Sequence, residues 1–423
     1  MIAQMELIGN EKIGILNKRI DVLELAKDIA AKKDLQNNDS SFMIVSLDRI
    51  LDRFKLWKKE LPMVEPFYAV KCNTDPVLVR ILATLGCGFD CASREEIDIV
   101  MATGVTADRV IYANPCKTRS FIAHALERDV RMMTFDNSEE LKKVSKLHPN
   151  AEMILRIAVS DPTATCPLNL KFGCDPVLAA PQLLKKAYDE GVNVVGISFH
   201  VGSGCNDATA YRTALQHAKN LCEIGEGFGF RMNIIDMGGG FPGAEHQNSF
   251  ENIAKVIREA IDDFFPDTEK RLIAEPGRFF AAGPFSLVAN IIHSTEVPAS
   301  KITKNANDSA DTGYMYYIND GVYGSFNCIL FDHVHPEGFA LFPPATEERF
   351  ISTIWGPTCD SLDMVEDQKS MPKMEVGDWM FYPDMGAYTS AAATTFNGFA
   401  KPTMMYVISE DMWNQTVKNS DFI

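Results

Sequence analysis

Several short apolar segments between residues 66 and 278 end in a side chain that could do chemistry. Lys71 directly follows FYAV, His200 lies near the end of VVGISFHV, and Glu275 ends RLIAE. A partly desolvated lysine amine can form a Schiff base with an aldehyde, and a carboxylate can hold the proton of a ring nitrogen. The other polar residues and glycines at such ends are Asp90, Asn114, Asp136, Arg156, Gly238, Gly239, Gly240, Gly277 and Arg278.

Each of these residues also has a purely structural interpretation. A lysine at a strand end is usually solvated, and a histidine on an apolar strand is more often a hydrogen-bonded core residue. Three successive glycines could cradle a phosphate with backbone N–H groups, or they could form a tight turn. Ser203, in HVGSG, could bind the same phosphate or cap a turn. We interpret Asn114 and Asp136 as helix caps.

Taken together, the set fits one cofactor, pyridoxal phosphate. This molecule needs a lysine for its aldehyde, donors for its phosphate and a carboxylate beside its ring nitrogen. Lys71, the glycine run with Ser203, and Glu275 can fill these three roles. A protonated ring nitrogen strengthens the electron sink for a carbanion at Cα, and His200 offers a flat group that could pack against the ring.

Eight apolar runs of strand length must position these residues, and helical segments separate them. Such alternation predicts parallel strands with helical crossovers, and eight units fit a closed (β/α)8 TIM barrel, whose catalytic residues lie at the carboxyl ends of its strands. An open, doubly wound sheet is the structural alternative. The runs are residues 66–70, 87–91, 109–113, 132–136, 153–159, 194–201, 234–238 and 271–275.

Two of the helical segments carry recognisable start signals. Pro76 stands in the first turn of TDPVLVRILATLG, a position that favours proline. Asn137 is followed three residues later by Glu140, which predicts a reciprocal cap.

The pattern changes after residue 283. The runs VANIIHSTEV, YMYYINDGVY, RFISTIWG and DWMFYPDM are separated by turn-rich segments, which is typical of antiparallel strands. We therefore predict an α/β protein with a TIM-like barrel at residues 46–283, followed by a C-terminal, mainly antiparallel β domain of sandwich or barrel-like form at 284–423. Residues 1–45 are predicted to join the β domain.

The composition argues against several classes of function. The chain has 423 residues, enough for two domains, and a formal net charge of −16, which disfavours general binding to nucleic acid or to anionic membranes. No apolar stretch approaches the roughly 18 residues of a membrane span, and the first twenty residues do not resemble a signal peptide. Ten cysteines without a CxxC pair predict reduced thiols in the cytoplasm and no metal site.

The motifs resemble those of a known enzyme family. PFYAVKCN, GFDCAS, SFHVGSGC, DMGGGFPG and AEPGR, in this order, resemble the alanine-racemase-like, fold-type III pyridoxal-phosphate decarboxylases. GVYGSFNCILFDH, WGPTCDSLD, VGDWMFY and MGAYTSAAATTFNGF are similar to the eukaryotic ornithine decarboxylases within that group. The resemblance runs from about residue 40 to 405. It implies a carboxy-lyase that converts L-ornithine to putrescine and CO2 with pyridoxal 5'-phosphate, the first step of polyamine biosynthesis.

The resemblance also implies roles for individual positions. Lys71 would hold the aldehyde of the cofactor, Glu275 would pair with the ring nitrogen, and His200 would stack on the ring. The polar network around the lysine and histidine would consist of Asp90, Glu96 and Arg156. The phosphate would be bound by the glycine run with its neighbours, namely Ser203, Gly238, Gly239, Gly240, Gly277, Arg278 and Tyr388.

The later motifs imply the substrate end of the site. Asp332 and Asp360 would receive the distal amine of ornithine, with Phe331 and Tyr323 beside them, because a cation needs desolvated carboxylates. Cys359 would protonate Cα, since a thiol has a pKa within reach of neutral pH; the alternative for Cys359 is a buried structural thiol. The family completes each site across a homodimer, so Cys359 and Asp360 would come from the partner subunit. An antizyme is a further partner that the family implies.

Two positions depart from the family pattern, and several alternatives stay open. Ser361 replaces the usual glycine after the CD pair, and Phe331 replaces a common tyrosine, which puts the fit of ornithine and of bulky inhibitors in question. A sister decarboxylase acting on lysine, arginine or diaminopimelate is one alternative, since one methylene is worth only ~1–3 kcal/mol of discrimination. A non-catalytic regulator of the antizyme-inhibitor type is another, although the positions that such proteins lose (Asp90, Arg156, Arg278, Tyr388) are intact here.

Overall fold

A computed structural model gives the structure of residues 2–159, 171–243, 249–266, 269–418 and 420. The chain divides into two compact units. Residues 51–280, together with the last four residues, form one unit, which we call the barrel unit. Residues 1–50 and 281–419 form the other, which we call the β unit. Within the described ranges, no helix is long and apolar enough to cross a membrane.

Eight parallel strands close into a barrel in the barrel unit. This confirms the predicted TIM-like barrel and excludes the open sheet, because the last barrel strand pairs with the first barrel strand. In chain order the barrel strands are Val64–Ala69, Gly88–Cys91, Val110–Tyr112, Met132–Phe135, Glu152–Ile157, Val194–Phe199, Ile234–Asp236 and Arg271–Ala274. One buried apolar cluster draws members from these strands, among them Phe67, Ile111, Ile154 and Ile273.

Helices follow the barrel strands and carry the predicted start signals. Asp75 caps the helix Pro76–Thr84 by accepting the N–H groups of Val77 and Leu78, and Pro76 occupies its first turn. Between residues 47 and 264, in the described part of the chain, the helices longer than one turn are Leu47–Glu60, which precedes the first barrel strand, and Pro76–Thr84, Arg94–Met101, Arg119–Glu127, Ser138–Leu147, Ala180–Asp189, Thr209–Gly227 and Phe250–Phe264. The last buries Phe250, Ile253, Ile257 and Ile261, as an amphipathic period requires.

The β unit contains a ten-stranded sheet. Six of its strand pairs are antiparallel, as predicted, and three are parallel, so the sheet is mixed. Along the sheet the order is Ile2–Ile8, Glu11–Leu16, Thr403–Ser409, Phe42–Ser46, Phe285–Pro298, Thr312–Ile318, Phe350–Trp355 and Met364–Met371. Trp379–Tyr382 pairs with Phe285–Pro298 and with the short strand Phe339–Ala340.

The core of the β unit lies between the sheet and a helix. The helix Val22–Leu35 buries Leu25 and Ala26 against a cluster that includes Phe42 and Trp379. The indole N–H of Trp379 donates to Asp34 at 2.9 Å, so the same helix also satisfies the polar edge of this buried ring. Short helices at Ser300–Thr303, Cys328–Phe331 and Glu410–Met412 complete the unit.

Candidate active site

Lys71 and Asp90 form an ion pair at the carboxyl end of the barrel. Lys71 lies in the single turn Val70–Cys72, directly after the first barrel strand, because that strand ends at Ala69. Its Nζ lies 2.6 Å from Oδ2 of Asp90, whose side chain has no exposure to solvent, whereas the Lys71 side chain is 39% exposed. The other oxygen, Oδ1, is buried without a hydrogen-bond partner among the described residues. A buried anion therefore orients an accessible amine.

Glu96 links this pair to the next helix. Its Oε2 accepts the backbone N–H of Ala92 at 2.6 Å, and Ser93 caps the helix Arg94–Met101 by accepting the N–H of Glu96 at 3.3 Å. Burial raises the pKa of Glu96, and the negative charge of Asp90 adds to that effect. Glu96 thus fixes the backbone just after the second barrel strand. It also lies close enough to Asp90 for the negative charge of Asp90 to raise its pKa.

His200 is held as a neutral, fixed ring. Its Nδ1 accepts the backbone N–H of Gly202 at 3.0 Å. Burial lowers its pKa well below the ordinary value, and the positive charges of Arg156 and Lys71 lower it further. The neutral imidazole therefore carries its hydrogen on Nε2, because Nδ1 is the acceptor. A Cβ on Gly239 would lie 2.8 Å from that Nε2, so the glycine run passes directly against the ring.

The glycine run is a close-packed turn that excludes side chains. Gly238 and Gly240 have φ of +59° and +110°, values that glycine adopts without strain. A Cβ on Gly240 would lie 2.8 Å from the carbonyl oxygen of Gly202. The hydroxyl of Tyr211 donates to the carbonyl of Gly239 at 2.8 Å. The structure therefore confirms the tight turn, in which the glycines pack against neighbouring protein atoms.

The last barrel loop brings an arginine to Ser203. Nη2 of Arg278 donates to the hydroxyl oxygen of Ser203 at 3.3 Å. Gly277, just before it, has no room for a side chain, because a Cβ would lie 2.9 Å from Cβ of Cys72. The loops after the sixth, seventh and eighth strands therefore supply a hydroxyl, a glycine turn and a guanidinium, and the loops after strands 7 and 8 are the usual phosphate site of this fold.

Glu275 has a partner that the sequence analysis did not identify. Glu275 follows the eighth strand, and Asp236 ends the seventh; both are buried. Asp236 accepts the hydroxyl of Ser198 at 2.8 Å through Oδ2 and the N–H of Gly238 at 3.0 Å through Oδ1. Burial raises the pKa of Glu275 well above its ordinary value, and the charges of Asp236 and Asp90 raise it further. Burial beside these negative charges therefore favours the protonated form of Glu275.

One oxygen of Glu275 is left free. Its Oε1 is buried and finds no hydrogen-bond partner in the described part of the chain. A buried acceptor without a donor is unfavourable, which marks this atom as a place where a ligand would supply a proton donor.

Arg156 and two predicted caps complete the barrel end. Arg156 lies in the fifth strand, nearly buried, with its guanidinium 5.4 Å from the ring centre of Phe172.

The cap prediction for Asn114 and Asp136 was wrong. Asn114 accepts the N–H of Cys116 in a turn at 3.0 Å, and Asp136 accepts the N–H of Gly173 at 2.8 Å, while Thr118 and Asn137 stand at the helix starts.

The residues that the sequence predicts for the substrate end lie in the β unit. Tyr323 donates its hydroxyl hydrogen to Oδ2 of Asp360 in a short hydrogen bond. That bond, aided by the N–H of Leu362, lowers the pKa of Asp360, so Asp360 is an anion at neutral pH. Cys359 is an exposed thiol, not a buried structural one. Ser361 is an exposed turn residue beside them.

The remaining predicted residues of the β unit differ in exposure. Asp332 is almost fully buried just after the helix Cys328–Phe331, whereas the Phe331 side chain is 70% exposed. Tyr388 has a φ of +55°, a left-handed conformation that is uncommon for a bulky residue and concentrates at functional sites.

Comparison with known proteins gives these residues a family context. Residues 47–282 match the family model described as the pyridoxal binding domain of the pyridoxal-dependent decarboxylases. The chain is 76% identical to an ornithine decarboxylase of Caenorhabditis elegans, with all of both chains covered. It is also 44% identical to antizyme inhibitor 2 of Xenopus laevis, over 92% of this chain and 86% of that one.

Solved structures show the same fold. The arginine decarboxylase of Paramecium bursaria Chlorella virus, bound to agmatine, matches with a TM-score of 0.83 at 34% identity. The match covers 91% of this chain and 100% of the viral one.

Proposed function

The chain belongs to the ornithine decarboxylases, within the pyridoxal-dependent decarboxylases, and on that premise we propose which of its residues carry the reaction from L-ornithine to putrescine and CO2. Pyridoxal phosphate, when bound, accepts the electron pair that the Cα–carboxylate bond leaves behind. The protein must therefore hold that group, orient the bond that breaks, exclude water, and return a proton to Cα.

One observation carries the assignment of the cofactor site. The free, buried Oε1 of Glu275 is the acceptor that a protonated ring nitrogen needs. Lys71, at the carboxyl end of the same barrel, would hold the aldehyde, and Asp90 keeps its amine in place at 2.6 Å. His200 offers a neutral flat ring, held by Gly202, that would pack on the cofactor without adding charge.

The phosphate would occupy the glycine turn. Gly238, Gly239 and Gly240 have no room for side chains, because a Cβ on any of them would meet neighbouring protein atoms within 3.0 Å, and their backbone N–H groups would bind the phosphate. Arg278 and Ser203, already hydrogen-bonded to each other, would add a charge and a hydroxyl. Gly277 and Tyr388, whose backbone is in the left-handed conformation, would complete the phosphate site. Glu96 and Arg156 would form part of the polar network around Lys71 and His200.

The β unit would supply the substrate end. Asp360, kept ionised by Tyr323, and the buried Asp332 would receive the distal ammonium of ornithine, with Phe331 beside them. Cys359 would give its thiol proton to Cα after CO2 leaves. Carboxylates at this end suit a basic amino acid, and lysine, one methylene longer, would be a poorer substrate by a modest factor.

A homodimer would complete each site, with Lys71 and His200 from one subunit and Cys359 and Asp360 from the other. The exposed large apolar side chains include Leu330, Phe331, Leu362 and Phe396. The first three lie within two residues of Asp332 or Asp360 in the sequence, and Phe396 directly precedes Asn397, which binds the backbone of Cys359. A contiguous patch formed by these side chains would be an interaction surface. The partner would therefore be a second copy of the chain, and an antizyme would be a regulatory partner.

The same residues count against a non-catalytic regulator. Asp90, Arg156, Arg278 and Tyr388 are all present, and Asp90 contacts Lys71 while Arg278 contacts Ser203, which supports a cofactor site. For location we propose the cytoplasm, where thiols stay reduced, since the chain has ten cysteines and no CxxC pair.

The test is CO2 release from carboxyl-labelled ornithine, lysine and arginine, with and without added pyridoxal phosphate. We expect cofactor-dependent release that is fastest with ornithine and falls to background in Lys71→Ala. Lys185→Ala, an exposed lysine paired with Asp189, is the matched control and should keep full activity. Release that is fastest with lysine or arginine would contradict the substrate, and no release at all would favour the regulator.

A further inference from the structure

The buried carboxylate of Asp363 anchors the loop that carries Cys359. Oδ2 of Asp363 accepts both the N–H and the hydroxyl hydrogen of Thr358, at 2.9 and 2.6 Å. Oδ1 of Asp363 accepts the N–H of Val322 at 2.7 Å. Because Asp363 is buried, this anchor fixes the residue just before Cys359.

Cys359 itself is held from a different segment. Oδ1 of Asn397 accepts the backbone N–H of Cys359 at 3.1 Å. Asn397 has φ of 55° and ψ of 12°, a left-handed conformation that asparagine tolerates better than most residues. The hydrogen bond joins residues 38 positions apart, so it does not arise from a local turn.

The segment around Asn397 is in turn fastened to Tyr323. The N–H and the hydroxyl of Thr394 both donate to the carbonyl oxygen of Tyr323, at 2.9 and 3.1 Å. The rings of Phe396 and Tyr323 have centres 4.5 Å apart. Since Tyr323 also binds Asp360, the contacts form a closed circuit that runs from Tyr323 through Asp360 and Cys359 to Asn397 and back.

We propose that Asn397 is a positioning residue that aims the Cys359 thiol at Cα of the substrate. The inference rests on the proposed role of Cys359 as proton donor. In that step the S–H bond breaks, the electron pair left at Cα forms the new C–H bond, and a thiolate remains on Cys359. Were the proton delivered to the aldehyde carbon of the cofactor instead of Cα, addition of water would release an aminoaldehyde and leave pyridoxamine phosphate, and no putrescine would form.

The variants separate the hydrogen bond from the backbone conformation. Asn397→Gly removes the acceptor oxygen and keeps the left-handed backbone free of strain, whereas Asn397→Asp retains an acceptor. Asn37→Gly is the matched control, since Asn37 is an exposed asparagine with a φ of +49°. For each variant, the amounts of aminoaldehyde and putrescine formed per CO2 released are measured and their ratio is compared. The Tm of each variant is measured as well.

We expect Asn397→Gly to raise that ratio about fivefold, the factor that one net hydrogen bond of about 1 kcal/mol represents. Asn397→Asp should restore the ratio, and Asn37→Gly should leave it unchanged. A second readout needs no turnover: the rate at which iodoacetamide alkylates Cys359 in cofactor-free protein should rise about fivefold in Asn397→Gly.

An unchanged product ratio together with an unchanged alkylation rate would overturn the inference, even if the Tm fell. A Cys359→Ala protein with a normal product ratio would also overturn it, by removing the role on which it rests. Failure of the proposed function looks different, because wild-type protein would then release no CO2 from ornithine while the alkylation rate still reported on Asn397.

Discussion

The side-chain nitrogen of Lys71 lies 2.6 Å from Oδ2 of Asp90, a carboxylate with no exposure to solvent. The two residues come from neighbouring strands, since Ala69 pairs with Asp90 in the barrel and Lys71 is two positions further on. The barrel register therefore places the anion under the amine. A buried partner restricts the amine to one direction, which is the requirement for reaction with a bound aldehyde.

Replacing Asp90 by asparagine should slow turnover without unfolding the barrel. The charged hydrogen bond to Lys71 is lost, and hydrogen bonds to charged groups contribute about 1.5–3 kcal/mol, so kcat should fall roughly 10- to 100-fold. Steady-state kinetics with ornithine and a thermal melt measure the two effects. Asp28→Asn, which removes the exposed partner of Lys32, serves as control. Wild-type kcat in Asp90→Asn would show that the pair does not orient the amine.

A methyl group on Gly239 should impair cofactor binding. In Gly239→Ala the Cβ would meet Nε2 of His200 at 2.8 Å and the carbonyl oxygen of Glu275 at 3.0 Å. We expect at least a tenfold weaker affinity for pyridoxal phosphate, on the order of 1.4 kcal/mol, measured by titration of cofactor-free protein. Gly227→Ala has no atom within 4 Å of its Cβ and should bind normally. Equal affinities of the two variants would contradict the packing described for the glycine run.

The raised pKa of Glu275 predicts how stability depends on pH in cofactor-free protein. The pKa of Glu275 is raised in the folded state, so the folded protein binds more protons than the unfolded chain at pH values above about 4.3. Stability contributed by this group is therefore lost as the pH rises towards the raised pKa. In Glu275→Gln that loss should disappear, which makes the decline of the urea midpoint between about pH 5 and pH 8 shallower than in wild type.

The exposed Glu127 provides the comparison for this experiment, because Glu127→Gln should keep the wild-type slope. The same slope in Glu275→Gln as in wild type would mean that Glu275 holds no extra proton.

Loss of the Tyr323 hydroxyl should weaken substrate binding more than turnover. Tyr323 donates to Oδ2 of Asp360 and lowers its pKa, so Tyr323→Phe removes the donor to Oδ2 while the N–H of Leu362 still binds Oδ1. The loss of one net hydrogen bond, about 1 kcal/mol, predicts a KM for ornithine about fivefold higher. Kinetics beside Tyr317→Phe, whose ring lies in a strand against His293, test this. A drop confined to kcat would argue against a role in binding.

The barrel was predictable because its signals are local. Each strand is a nearly continuous apolar run, as expected of strands buried on both faces, and the predicted runs overlap all eight observed strands. A residue at the end of such a run lies at the carboxyl end of a barrel strand. Lys71, His200 and Glu275 could therefore be assigned together to the same end of the barrel.

What the sequence did not reveal depends on partners chosen over long distances. Thr403–Ser409 inserts between Glu11–Leu16 and Phe42–Ser46 as a parallel neighbour of both, and no local pattern selects those partners. Glu140 does not cap its own helix reciprocally as predicted, because its carboxylate is bound by Lys117 and Lys143 instead. The cap itself is correct on the side of Asn137, which accepts two N–H groups.

Asp236 and Asn397 were missed for the same reason. The only trace of Asp236 is one charged residue inside the apolar run IIDMG, and its importance appears only when Ser198 and Glu275 are seen beside it. Asn397 looks like an ordinary turn residue until the fold brings it to Cys359.

The most direct measurement of the central claim is to identify the lysine that holds the cofactor. Protein loaded with pyridoxal phosphate is reduced with borohydride, digested, and mapped by mass spectrometry for the phosphopyridoxyl group. We predict a single modified site at Lys71, absent from Lys71→Ala and unchanged in Lys185→Ala. Modification of a different lysine, or of none, would contradict the assignment of the site.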